Sequence, residues 1–201
     1  MRNIAIFASG SGSNAENIIT YFSNKKSGKV KLVLSNKRDA FVLERAAKHK
    51  VDSFFFDYAE FYRTGKVIDR LISYKIDFIV LAGFLWLVPD NILKMYHNRI
   101  INIHPALLPL YGGRGMYGDR VHRKVIENHD KESGITIHHV NEVYDAGDII
   151  FQARCRVDPA DTAETLAARI HELEYLHYPR VIEGMVNGLT ERSVKSSRED
   201  Q

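Results

Sequence analysis

The chain is short of the residues that build special-purpose scaffolds. Cys155 is its single cysteine, so an internal disulfide framework and a cysteine-based zinc site are both excluded. A reducing compartment follows as the default, and a cytoplasmic location is expected. No apolar run is long: the longest, FIVLAGFLWLV at 78–88, is too short to cross a bilayer as a helix. The N-terminal MRNIAIFASGSGSN passes from a few apolar residues straight into glycines, without the core and cleavage site of a signal peptide. Basic runs interleaved with aromatics are missing too, so neither a nucleic acid nor a membrane is an expected partner.

What remains is ordinary globular material. In 201 residues, 45% are hydrophobic and 26% charged, enough to bury a core without covalent staples. The net charge of +3 is mild and suits a small anionic ligand.

Strand-like runs at 2–8, 30–34, 52–56, 77–82 and 99–103 alternate with helix-period segments, which is the signature of βαβ units and a parallel sheet. The fold class is therefore α/β: a Rossmann-like, mostly parallel twisted sheet with helices on both faces. Asp39 is expected to cap a helix over 40–50, and EFYRTGKVIDRLISYK (60–75) carries Phe61, Val67, Ile68, Leu71 and Ile72 at helical spacing. A long glycine- and proline-containing loop fills 105–118. Beyond it come a helix at 119–129, a C-terminal hairpin of strands at 134–141 and 147–157, and a long helix from about Asp161 to Gly188. Residues 1–188 are read as one domain, and the polar 189–201 as a frayed tail.

Two features carry chemistry. The first is INIHPALLP (101–109). Residues i and i+2 of a strand share a face, so Asn102 and His104 project together while Ile101 and Ile103 turn away. They end the fifth strand, and ligands of parallel sheets bind beyond the carboxyl ends of strands. The second is Gly10-Ser11-Gly12-Ser13-Asn14-Ala15, between the first strand and the first helix, where free N–H groups receive phosphate. It matches the dinucleotide pattern G-x-G-x-x-A. The acidic residue that should grip a ribose some twenty positions on is replaced by Ser35, Asn36 and Lys37. NAD is disfavoured, and a phosphate monoester on Gly12, Ser13 and Asn14 fits most simply. NADP, with Lys37 and Arg38 on its 2′-phosphate, is the alternative, and a non-catalytic nucleotide-binding module is a third reading.

Asp145, in the turn VYDAG, is either a turn-former or a catalytic carboxylate, with Asp148 as its competitor. His171, Glu172, Glu174 and His177 do not have the H-E-x-x-H spacing of a zinc helix, so no metal site is expected. Glu174 taken alone reads as part of a solvated helix face. His122, His129, His138 and His139 form no recognisable ligand pattern.

GSGSN, LAGF (81–84), NIHPALLP and DAGDII (145–150) occur in the order and spacing of the folate-dependent formyltransferases, and the chain resembles that family over about residues 2–188. The resemblance implies formyl transfer from 10-formyltetrahydrofolate as co-substrate to the amine of glycinamide ribonucleotide, a step of purine synthesis, with no metal. It implies Asn102, His104 and Asp145 as catalytic groups, with His104 acting as an imidazolium. It further implies Gly12, Ser13 and Asn14 on the substrate phosphate and Glu174 on the ribose hydroxyls. Leu85, Trp86, Leu87 and Val88, with Asn102, would bind the folate. The family often has arginine where Trp86 stands, and the 112–118 loop is longer than in many members. The tRNA-acting and the hydrolytic deformylase members carry additional domains, for which the reading finds no counterpart here.

Overall fold

The computed structural model describes residues 1–189. Its strands are β1 (Arg2–Phe7), β2 (Gly28–Ser35), β3 (Asp52–Phe55), β4 (Phe78–Leu81), β5 (Ile100–His104), β6 (Glu132–His139) and β7 (Ile149–Arg156). They form one sheet in the order β3-β2-β1-β4-β5-β6-β7. The first five are parallel, β6 runs antiparallel to β5, and β7 antiparallel to β6. This is the mostly parallel α/β architecture expected. The polar tail expected at 189–201 lies, beyond Leu189, outside the described residues.

The central strands are apolar on both faces because both faces are covered. Ile4 and Ile6 of β1 enter a core with helices α1 (Ser13–Phe22), α2 (Phe41–Lys48) and α7 (Ala163–Gly188). The alternate residues Ala5 and Phe7 enter a second core with α3 (Tyr58–Tyr62), α4 (Lys66–Ser73) and α5 (Asp90–Met95). A strand buried on two sides has no polar register, hence the unbroken IAIF. Helix α6 (Asp119–Glu127) follows the long loop, with Val121 and Val125 buried.

Local details differ from the sequence reading. The segment 60–75 is two helices, not one. Gly65 adopts φ 75° as the N-cap of α4, a left-handed conformation that interrupts the helix and that glycine accepts without steric cost. Asp39 does not cap α2; Ala40 is the N-cap, with no side-chain bond to it. The long helix begins after Thr162, whose hydroxyl accepts the Thr165 N–H in a reciprocal capping box, while Asp161 turns to Arg169. Pro179 inside α7 has no N–H for the Tyr175 carbonyl four residues earlier. The Asn17 amide of α1 donates to that carbonyl at 3.0 Å instead, so the defect becomes a tether between helices.

The connectivity sets the site. From β1 the chain winds outward through β2 and β3, then returns to place β4 on the other side of β1. The crevice beyond the carboxyl ends of β1, β4 and β5 is therefore the topological switch point.

Candidate active site

At the end of β1 the chain turns through Gly12, at φ 77°, and enters α1. A Cβ on Gly12 would stand 2.4 Å from Val42 Cγ2 and 2.8 Å from the Val42 Cα, so glycine is required by both conformation and space. The first turn of α1 offers the N–H groups of Ser13 and Asn14 to the crevice, at the positive end of the helix. Arg45 of α2 donates to the Ser11 carbonyl at 2.9 Å and braces the loop from behind. Ser9 ties three segments together: its hydroxyl donates to Asn36 Oδ1 at 2.7 Å and accepts the Leu85 N–H at 3.1 Å. Asn36, at the end of β2, is thus used internally.

Glu174 of α7 faces this loop, 6% exposed, and accepts from Asn14 Nδ2 at 2.8 Å. It is not on a solvated helix face. Burial pushes its pKa up, against the Asn14 hydrogen bond and the nearby His171. The Asn14 Oδ1 is buried and has no hydrogen-bond partner, an acceptor left over at the crevice wall. An anion beside the N–H groups and a hydroxyl donor reaching Asn14 Oδ1 would satisfy these leftover groups.

The second cluster comes from β5, β6 and the turn after β6. Asn102 lies directly opposite His138 in the antiparallel β5–β6 pair. The amide nitrogen of Asn102 is 3.1 Å from His138 Nε2 and 3.5 Å from Asp145 Oδ1. His138 Nδ1 lies 2.7 Å from the His139 carbonyl, which only an N–H can satisfy; in the neutral ring Nε2 is then the acceptor for Asn102, and it also stands 3.6 Å from Asp145 Oδ1. His104, 3% exposed, repeats this logic: Nε2–H donates to the Tyr111 carbonyl at 2.7 Å, and Nδ1 lies 3.5 Å from Asp145 Oδ2.

Asp145 sits at φ 54° in its turn and accepts the Gly113 N–H at 2.9 Å. Burial by itself would raise its pKa, but His138, His104 and the Gly113 N–H together hold it below the usual carboxylate value. Asp148, the competitor, is exposed and does not border the crevice. Burial lowers the His104 pKa, and Asp145 and the Tyr111 carbonyl offset this only in part. The standing imidazolium of the sequence reading is therefore not the resting state of the free site at neutral pH. His122, also bordering the crevice, is pushed by burial down to about 4.

An apolar strip completes the crevice. Val88 is buried, and Leu85, Trp86 and Leu87 are half-buried along it. Tyr62 and Tyr144 fix the strip by donating to the Leu87 carbonyl at 2.7 Å and the Leu85 carbonyl at 3.3 Å. One cleft of about 790 Å³ is bordered by every residue to which the family resemblance gives a role, from Gly12, Ser13 and Asn14 through 85–88 to Asn102, His104, Asp145 and Glu174. Among the described residues no group of three His, Cys, Asp or Glu side chains could hold a metal ion. His171 stacks on Tyr175, while the His177 ring lies tilted against Phe151 of β7.

His138 was not selected from the sequence. The signal was available only as a register: Asn102 and His138 become partners once β6 is known to pair antiparallel with β5 in that alignment.

A mostly parallel sheet with a glycine loop after β1, an apolar strip after β4 and a polar cluster on β5 and β6, all bordering one cleft, has the make-up of an enzyme acting on small molecules. Residues 2–182 match the family described as formyl transferase, and the chain belongs to that family. It is 37% identical to phosphoribosylglycinamide formyltransferase of Bacillus subtilis over 98% of this chain and 100% of that one. It is 38% identical to the enzyme of the same name from Escherichia coli, covering 92% and 88%. The chloroplastic protein of that name from Arabidopsis thaliana is 39% identical, over 90% of this chain, which spans 64% of that longer protein. The crystal structure of glycinamide ribonucleotide transformylase 1 from Symbiobacterium toebii superposes with a TM-score of 0.85 at 35% identity, covering 95% of this chain and 91% of that one. No helix among the described residues is long and apolar enough to cross a membrane.

Proposed function

We propose that the cleft transfers the formyl group of 10-formyltetrahydrofolate to the amine of glycinamide ribonucleotide, giving formylglycinamide ribonucleotide and tetrahydrofolate in purine synthesis. Residues 1–188 act as one formyltransferase domain in this reading. The observation that carries it is that the glycine loop, the apolar strip and the cluster of Asn102, His104, His138 and Asp145 all border one cleft.

The phosphate rests on Gly12, Ser13 and Asn14, and the ribose hydroxyls on Glu174. The pterin lies along Leu85, Trp86, Leu87 and Val88. With both substrates held, the amine attacks the formyl carbon and an oxyanion develops, so positioning and preorganised donors carry the rate. One N–H of Asn102 is held on His138. The other, aimed at Asp145 over a long 3.5 Å, is the donor that an oxyanion developing beside it takes over. As negative charge builds in a buried site, the His104 pKa rises. The proton leaving the attacking amine passes by way of Asp145 or a water to His104 Nδ1, and is returned to the departing folate nitrogen. An imidazole neutral at rest and charged at the transition state stabilises the second more than the first.

The test is a formyl-transfer assay with both substrates, beside a control without the ribonucleotide and one with His104→Ala. Turnover that needs the ribonucleotide and collapses in the variant supports the assignment. Folate consumption without the ribonucleotide would make the protein a deformylase, and absence of any turnover would remove the reading.

A further inference from the structure

Tyr111 and Gly113, two residues apart in the long loop, hold the two halves of one pair. The Tyr111 carbonyl accepts the His104 Nε2–H at 2.7 Å, and the Gly113 N–H donates to Asp145 Oδ2 at 2.9 Å. That carboxylate oxygen is the one that stands 3.5 Å from His104 Nδ1. Segment 111–113 thus bridges the imidazole and the carboxylate through its backbone. Its own sequence does little to keep it there. Tyr111 adopts φ 55°, a left-handed conformation that is costly for a residue with a Cβ, and two glycines follow it. What fastens the segment is the Tyr111 side chain. Its hydroxyl donates to Asp130 Oδ2 and accepts from Asn128 Nδ2 at 2.7 Å, and its ring packs against the core between the sheet and α7. Asn128 and Asp130 lie just past α6, and the Asp130 N–H donates at 3.2 Å to the carbonyl of Val125, a buried residue of that helix. Tyr111, Asn128 and Asp130 do not border the cleft.

A neutral imidazole has one N–H to place. Asp145 draws it towards Nδ1, and the Tyr111 carbonyl draws it towards Nε2. Only the second arrangement leaves Nδ1 free to take a proton. Resting on the proposed formyl transfer, we infer that Tyr111 and Asp130 are positioning residues for that reaction: their phenol–carboxylate bond holds segment 111–113 across the His104–Asp145 pair and keeps the His104 proton on Nε2. Neither side chain touches a substrate. Both act through backbone groups, so this strut ties the tautomer of a buried imidazole to a contact outside the cleft.

The experiment reads the His104 ring nitrogens by nitrogen NMR in the free protein at neutral pH, where burial keeps the ring uncharged, beside steady-state formyl transfer. The variants are Tyr111→Phe, Asp130→Ala, Asp130→Asn and the double change Tyr111→Phe with Asp130→Ala. Glu127→Gln, which removes an exposed carboxylate paired with Lys124 on the same helix, is the control. Tyr111→Phe keeps the ring and its packing. It is expected to lower kcat about tenfold with KM little changed, and to move part of the His104 proton to Nδ1. Asp130→Ala should do the same, while Asp130→Asn keeps an acceptor for the phenol and should stay near the wild type. The double variant should lose no more than either single one, because both break one contact. Glu127→Gln should change neither readout. A lowered melting temperature in Tyr111→Phe, with kcat and ring nitrogens as in the wild type, would make the bond a structural one and overturn the inference. So would a fall in kcat with the proton still on Nε2, losses that multiply in the double variant, or an equal loss in the control. Wild-type transfer to the ribonucleotide in any of these cases means that the strut fails alone. If the wild type carries out no transfer, the formyl-transfer reading fails, and the role of Tyr111 and Asp130 in it falls too.

Discussion

Asn102 and His138 stand opposite each other across the junction where the parallel part of the sheet meets its antiparallel part, with the amide nitrogen 3.1 Å from the ring. The tautomer of His138 is set by the His139 carbonyl, so the ring dictates which end of the Asn102 amide points inward. The arrangement assigns different roles to the two residues.

Asn102→Ala removes an oxyanion donor, and kcat is expected to fall on the order of 100-fold or more with KM for both substrates little changed. His138→Ala leaves the donor present but free to flip. A smaller fall in kcat, with KM unchanged and the pH dependence retained, marks it as a positioning residue. Steady-state kinetics on the two variants separates the roles, and near-normal turnover in Asn102→Ala would remove that residue from the mechanism.

The pH dependence follows from His104. Its pKa is lowered by burial and partly restored by Asp145. Protonated His104 cannot accept the amine's proton, so kcat/KM should fall as pH drops through a value below that of an ordinary histidine. Asp145→Asn removes the charge that raises this pKa, so the titration of His104, followed by NMR, should move to still lower pH. A shift upward would contradict the assignment.

Glu174 titrates in the opposite sense for stability. Its folded pKa is raised by burial, so the folded state binds the extra proton above the unfolded value, and stability falls as pH rises through that window. Glu174→Gln removes this dependence. Thermal melts should show the variant gaining relative to the wild type as pH rises from about 4.5, while KM for the ribonucleotide rises about tenfold. Parallel melting curves for the two proteins across that range would refute the buried, proton-holding carboxylate.

Gly12→Ala meets Val42 side chain and backbone together, in a left-handed conformation. A loss of about 1–3 kcal/mol in stability is expected, with impaired binding of the ribonucleotide. Adding Val42→Ala removes the side-chain overlap but neither the clash with the backbone of residue 42 nor the positive φ, so rescue should be partial. Denaturant unfolding of the single and double variants measures both effects, and full rescue would show that backbone conformation contributes nothing.

The legible parts of this protein were those written in local period and local chemistry. The unbroken apolar strands announced a sheet covered on both faces, and the two-residue period put Asn102 and His104 on one side. The glycine loop stood out because it opens a helix, whose free N–H groups favour anions. These properties depend on neighbours in sequence, and the sequence by itself determined them. It also predicted one helix where Gly65 makes two, because hydrophobic spacing continues through a residue whose φ it does not reveal. What only the tertiary structure decided were relations between distant segments: that β6 pairs with β5 in the register facing His138 to Asn102, that α1 closes over Glu174 and makes a surface-patterned carboxylate a buried one, and that Gly113 ties the loop to Asp145. The charge on His104 belongs there too, since a pKa is set by how much water and which charges the whole fold leaves around a group, and no residue carries that information in its own name.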